Sequence, residues 1–360
     1  MKTPDTAPAV TAPASPAGGE SLKDVPTQRI VRVRREYNTW VADETLEDYA
    51  LRFAPRSFRK WSAARVAATA FGSVSFLALE AIGGAIMINY GFTNALWAIL
   101  TVGIIIFLTA LPICYYASRY NIDMDLLARG AGFGYIGSTI TSLIYASFTF
   151  IFFALEAAIM ALVFELYFDL PLALGYLLSS IVIIPMVLYG ITFINRLQLW
   201  TTVPWAVLSI VPFVFIIARS PDLLHDWTSF SGYAADSAGF DPLLFGMAAT
   251  VSFSLIAQIG EQVDFLRFLP EKTPRNSARW WSAMLIAGPG WIVPGVIKQL
   301  AGAFLAFLAL QHLVPVQRAE EPTQMYLIAW QYVFTNPQLA LAATTLFVVL
   351  SQVKINVTNA

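Results

Sequence analysis

The chain has 360 residues, 57% hydrophobic and 12% charged, with a formal net charge of −1 and a mean hydropathy of +0.63. So few charges cannot cover a water-facing surface, and the sequence reads as a polytopic membrane protein. Charges scattered in short clusters leave no basic face for nucleic acid, and the single cysteine, Cys114, excludes an internal disulfide or a cysteine metal site.

The first segment, residues 1–42, is rich in Pro, Ala, Thr, Ser and Gly up to about residue 28. It has no apolar stretch of the kind a signal peptide needs, and reads as a disordered cytoplasmic tail. Residues 43–63 form a lead-in in which acidic residues give way to Arg52, Arg56, Arg59 and Lys60 with aromatics between them. Two readings fit it: a helix held against anionic headgroups, or a solvated helix with scattered charge.

Residues 64–360 form a membrane domain. A span needs roughly 20 apolar residues, and eight segments qualify: 64–89, 94–116, 135–167, 171–193, 198–218, 242–266, 281–310 and 338–360. Arg and Lys fall almost wholly in alternate connections. Twelve, from Arg52 to Arg279, lie on one side, and only Arg219 and Arg318 on the other. The positive-inside rule therefore places the N-terminus in the cytoplasm of a multi-pass cell (inner) membrane protein, and the acidic connection 220–241 outside. The segment TTLFVVLSQVKINVTNA is still apolar where the sequence stops, which suggests a chain ending within its eighth span and a longer native protein.

Two spans differ from their smoothly apolar neighbours. The first contains GSVSFLALEAIGGAIMIN and the sixth SFSLIAQIGEQVDFLRFLP. Interrupted helices five spans apart point to a transporter built from inverted five-helix repeats, with substrate held where the helices unwind. Gly83 and Gly84 supply the backbone freedom for a break in span one and are candidate substrate-binding positions. Alternatively, Gly72, Gly83 and Gly84 let neighbouring helices pack closely.

Intramembrane charges cost roughly 2.5 to 3.5 kcal/mol each on insertion scales and call for partners. Glu80 and Glu156 lie deep in spans one and three, and Lys298 and Lys354 in spans seven and eight. Glu80 is either a neutral hydrogen-bonded core carboxyl or a cation or proton site facing span eight, paired with Lys354. Glu261 and Asp264 close span six near Arg267, where a helix-end pairing is expected. They share one helix face but have no accompanying base or nucleophile, and His225 and His312 fall outside the spans, so no enzyme activity is expected.

Four segments resemble the nucleobase:cation symporter-1 family, the purine and cytosine permeases among them. SRYNIDMDLLARGAGFGYIGS is similar to that family's entry to span three, through Arg129, Phe133, Gly134 and Gly137. QVDFLRFLP resembles its closure of span six, through Asp264, Phe265, Arg267 and Phe268. SQVKINVTNA resembles its Asn-x-x-Asn segment, through Asn356 and Asn359. LEDYALRFAPRSFRKWS is similar to the family's lead-in.

The resemblance implies an all-α, leucine-transporter-like fold of ten core helices plus two, about eight of the twelve being present. It also implies alternating-access transport of a small heterocycle of purine, cytosine, uracil or allantoin type. The substrate would sit between spans one, three, six and eight. Phe150, Phe152 or Phe153 would form the stacking platform, Ser252, Phe253, Ser254 and Gln258 the span six lining, and Asn356 would read the ligand edge. Phenylalanines stand where the family often places a span three tryptophan, and Leu255 lies near the equivalent span six position.

The family's sodium site lies between spans one and eight, where this chain offers Glu80, Lys354 and Asn359. No cofactor is expected beyond a coupling ion, Na+ or H+, and an ammonium in the cation's place favours H+ or no coupling. The alternative function is a ligand-sensing module fused ahead of a sensor histidine kinase.

Overall fold

The structure, a computed structural model, describes residues 53–56, 59–234 and 238–359. The tail at 1–42 and most of the lead-in lie outside the described residues. Every regular element among the described residues is helical. Six helices are long and apolar enough to cross a membrane, and a shorter apolar pair covers Leu172–Leu188. The chain is therefore a multi-pass membrane protein.

Span one is built in two halves. Helix α1 (Ala63–Gly72) is followed by a 3-10 turn, Ser73–Ser75, after which Phe76 is extended at φ −62° and ψ 135°. The helix then resumes as α2 (Ala78–Tyr120), which carries both the rest of span one and span two. The reversal between them falls at Gly91, with φ 76° and ψ 171°, where a side chain would meet the Ser231 carbonyl oxygen at 2.1 Å. Backbone bonds from the 230–234 segment close the turn: Tyr233 N–H donates to the Ile88 carbonyl and Phe92 N–H to the Phe230 carbonyl, both at 2.9 Å. Groups that the bend frees are thereby paired, as burial in a membrane requires.

Next come α3 (Met124–Ala128), a π turn at Arg129–Phe133, and span three, α4 (Gly134–Phe168). Span four is α5 (Leu172–Ile181) and α6 (Ile183–Leu188), and span five is α7 (Gly190–Arg219). A short α8 (Leu223–Thr228) precedes span six, α9 (Pro242–Phe253), a 3-10 turn at Ser254–Ala257, and α10 (Gln258–Leu266). Asp241 starts span six as an N-cap, accepting from the N–H of Leu243 and Leu244 ahead of Pro242.

Span seven is α11 (Ser277–Ala287), a turn at Pro289–Trp291, and α12 (Ile292–Gln311); α13 (Val316–Ala319) and α14 (Pro322–Gln331) follow, and α15 (Pro337–Asn359) is span eight. The eight segments legible in the sequence are all present. The largely buried α14 was not among them, because ten residues fall below the length of a span.

Loops at one end tie the spans together. Arg59 donates to Asn121 Oδ1 at 2.8 Å, and Asn121 Nδ2 donates to the carbonyls of Arg267 and Leu269 at 2.8 and 2.9 Å. Arg56 pairs with Glu271 at 2.7 Å. The described part of the lead-in thus uses its cations on protein groups.

Candidate functional site

The break in span one lies at Ser73–Leu77, ahead of the glycines on which the sequence reading centred it. Serine side chains offer the backbone an alternative partner to the helix ladder, and here Ser73 Oγ donates to the Ala70 carbonyl at 2.7 Å. Resumption at Ala78 leaves two N–H groups facing the break. The carboxylate of Glu156, from span three, takes both: Leu77 N–H donates to Oε2 and Ala78 N–H to Oε1, each at 3.1 Å. A carboxylate at a helix N-terminus also meets the positive end of the helix dipole. The Gln352 amide of span eight lies beside the same carboxylate.

Gly83 and Gly84 sit inside regular helix and serve a different purpose. A Cβ on Gly83 would fall 1.8 Å from the Gln299 carbonyl oxygen, and one on Gly302 2.1 Å from that of Glu80. Spans one and seven therefore cross backbone against backbone, the close approach that small residues permit in membranes. The expectation that these glycines break the helix is corrected: the break belongs to the serines and Phe76.

At the break, Phe76 meets Phe152 of span three edge to face, with centroids 5.8 Å apart, and Phe148 lies 4.4 Å from Phe152. They belong to one buried cluster with Leu255 and Ile259 of span six and Ile355 of span eight. Polar groups surround this apolar centre. The Gln262 amide of span six lies 2.9 Å from Ser73 Oγ, and Ser75 Oγ donates to the Ser351 carbonyl of span eight at 3.1 Å. Glu261 accepts from Gln258 and lies beside Ser73 and Thr358. Asn356 and Asn359 are buried with neither amide atom hydrogen-bonded.

The two buried lysines have separate partners. Lys298 Nζ lies 2.6 Å from Glu80 Oε1, which also accepts from Tyr326 of α14 at 3.2 Å. Lys354 donates to Gln198 Oε1 and to Thr201 and Thr202 of span five, the latter two at 3.1 Å. Gln198 returns a bond from Nε2 to the Lys354 carbonyl at 2.8 Å, and its side chain covers Gly72 at the end of α1. The expected Glu80–Lys354 pair is therefore corrected. Glu80 lies one turn beyond the break, on the side facing span seven, whereas Lys354 faces span five.

No family model matches the chain, and no curated protein matches it. Among solved structures it is similar to Mhp1, a nucleobase-cation-symport-1 family transporter, in a closed conformation with bromovinylhydantoin bound. The TM-score is 0.63 at 15% identity, over 87% of this chain and 67% of that one. The chain has the fold of a nucleobase-cation-symport-1 transporter. The leucine-transporter-like architecture expected from the resemblance is thus the one adopted.

Of the residues named from the sequence, Phe152 lies at the break, Gln258 bonds Glu261 beside Ser73, and Asn356 is buried on span eight. Phe150 is 72% exposed on the outer face of span three. Phe153 packs with Ile183, Ile194 and Val357. Ser252 donates to Gln299 of span seven at 3.2 Å, Phe253 packs at the edge of the central cluster, and Ser254 is exposed and bonds its own helix at Val251. Asn359, the last described residue of α15, is buried. Asp264 accepts from Tyr145 of span three at 2.9 Å, while Arg267 lies 4.0 Å from Asp123. The expected Asp264–Arg267 closure is thus shared with span three and the α3 loop.

Sequence reasoning missed Phe76, Gln198, Gln352 and Tyr326. Gln352 stands one turn before Asn356 on the same helix face, a spacing that could have flagged it. Tyr326 gave no signal, because α14 is too short for a periodic pattern to stand out.

Proposed function

We propose that this protein is a secondary transporter of a neutral planar heterocycle, a nucleobase or related cyclic amide or imide. The substrate is held at the break between spans one, three, six and eight and released by alternating access. The observation that carries this reading is the conjunction of the Phe76–Phe152 aromatic pair with the unpartnered Asn356 amide of span eight, which packs against the break and span three. Aromatic faces stack on a planar ring, and an amide supplies both a donor and an acceptor for its edge. The hydantoin in the structurally similar transporter is a ligand of this chemistry.

Glu156 sharpens the substrate class. A half-helix N-terminus at mid-membrane suits an anionic substrate group, but here both of its facing N–H groups are already taken by a side-chain carboxylate. A substrate carboxylate would compete with Glu156 and be repelled by it, so a neutral ring is favoured.

Lys354 bears on coupling. Its ammonium is buried close to the break, where the resembling family has sodium, and is satisfied by Gln198, Thr201 and Thr202. This supports uptake driven without sodium, by protons or by the substrate gradient alone. The positive-charge asymmetry supports a cytoplasmic N-terminus in a cell membrane.

The test is uptake of radiolabelled uracil, cytosine, hypoxanthine and allantoin into proteoliposomes containing the full-length protein, with and without sodium and a proton gradient. Saturable uptake of at least one, unchanged by sodium, is expected. Saturable binding with no uptake under any gradient would replace transport by sensing.

A further inference from the structure

The carboxyls at depth differ in how they are satisfied. Glu80 meets the Lys298 ammonium, Glu156 two backbone N–H groups, and Asp264 the Tyr145 hydroxyl. Glu261 of span six, 1% exposed, has the Gln258 amide on one oxygen, while Oε1 is buried with no hydrogen-bond partner. None of the ion pairs among the described residues includes it. A buried carboxylate with neither a cation nor a full set of donors is costly.

Its neighbours suit a neutral acid. Ser73 of span one and Thr358 of span eight lie beside the carboxyl. A hydroxyl has one proton to give, and both are committed to helix carbonyls: Ser73 donates to Ala70 at 2.7 Å and Thr358 to Ile355 at 2.6 Å. What remains for Glu261 is their lone pairs, which are matched by a carboxyl that carries a proton. The 3-10 turn ahead of α10 keeps helical dihedrals, φ −54° and ψ −24° at Ser254, so no free helix N-terminus supports an anion there.

The ionisable groups of the packed elements supply no counter-charge. Asp264, one turn on along the same face, adds negative charge, and Tyr145 of span three is bonded to it. Arg267 lies at Asp123, and Arg129 at Asp125 of α3. Glu156 is engaged at the break, and Lys354 of span eight is turned to span five. Arg65 stands at the far end of α1, Arg279 of α11 is exposed, and Cys114 of α2 lies at Gly288.

We propose that Glu261 is the residue that binds the proton driving uptake. This rests on the transport reading above and assigns its coupling site. One proton passes from external water to the carboxylate, crosses with the substrate while Oε1 is shut off from water, and leaves to water when the break opens to the cytoplasm. No bond of the substrate changes. Ser73 joins the carboxyl to the break in span one, so opening there exposes both together.

Proteoliposomes of the full-length protein, given radiolabelled uracil, cytosine, hypoxanthine or allantoin, separate exchange from accumulation. With the membrane potential clamped, an inward gradient of one pH unit should concentrate at least one of them about tenfold, at one proton per substrate. Glu261→Gln, which fixes the neutral shape, should abolish that accumulation yet still exchange labelled for unlabelled substrate. Glu261→Ala, neutral and smaller, is the second variant with the same expected pattern. Infrared difference spectra of wild type against Glu261→Gln read the site without transport: a protonated-carboxyl stretch that disappears at high pH is expected. Gradient-driven accumulation by both variants, loss of exchange in variants that melt like the wild type, or absence of that stretch would overturn the assignment while transport stood. Exchange of none of the four by the wild type would overturn the transport reading and this inference with it.

Discussion

Glu156 hydrogen-bonds the backbone N–H of Ala78 at 3.1 Å, so a span three carboxylate closes the start of the resumed helix in span one. Leu77 N–H donates to the other oxygen at the same distance, and both acceptors are needed. Glu156→Gln keeps the shape but offers one acceptor and turns an NH2 towards an N–H. Thermal unfolding in detergent should show a loss of about 1 to 3 kcal/mol. Glu156→Ala frees the helix terminus for an anion. Orotate, a pyrimidine carboxylate, should then compete with uracil at least about tenfold better than in the wild type. An unchanged ratio would remove Glu156 from the specificity argument.

The Glu80–Lys298 pair should behave as a coupled unit. Lys298→Met or Glu80→Leu alone leaves the partner buried without its counter-charge, and each should cost about 3 to 5 kcal/mol. Glu80→Leu combined with Lys298→Met removes both charges and should recover much of that loss. Melting temperatures of the two singles and the double decide it. Additive losses would mean that the two residues stabilise the fold independently.

Lys354→Ala removes the ammonium held by Gln198, Thr201 and Thr202. Wild-type uptake should be indifferent to sodium, whereas the variant should bind substrate or melt in a sodium-dependent way. Sodium-dependent uptake by the wild type would show that Lys354 does not stand in for the cation.

Gly83→Ala should prevent recovery of folded protein, because the new methyl would lie 1.8 Å from the Gln299 carbonyl oxygen. That oxygen belongs to packed helix backbone and cannot give way. Gly246→Ala is the control: nothing lies within 4 Å of its Cβ position inside α9, and alanine suits a helix better by up to about 1 kcal/mol. Size-exclusion profiles and melting temperatures of the two should therefore diverge.

The apolar helical segments and the presence of polar groups at depth were legible in the residues, because hydrophobic length is a local property. The two interrupted spans were legible too, but not the point of interruption. Gly83 and Gly84 look like breakers in isolation, and only the facing backbone of span seven shows that they are needed for contact. Likewise Glu80 and Lys354 were both visible as buried charges, but sequence offers no measure of which helix faces which.

The sequence by itself determined a multi-pass, mainly helical membrane protein with broken first and sixth spans and carboxylates and lysines below the surface. Tertiary structure alone decided their partners. Glu156 meets a backbone 79 residues away, Lys298 a carboxylate 218 residues away, and Tyr326 the same carboxylate across 246. The physical reason is that burial obliges each polar group to be satisfied without naming the group that satisfies it. That choice depends on which helix faces the crossing presents, and it put Glu156 at the break, Lys298 on Glu80, and Lys354 among the hydroxyls of span five.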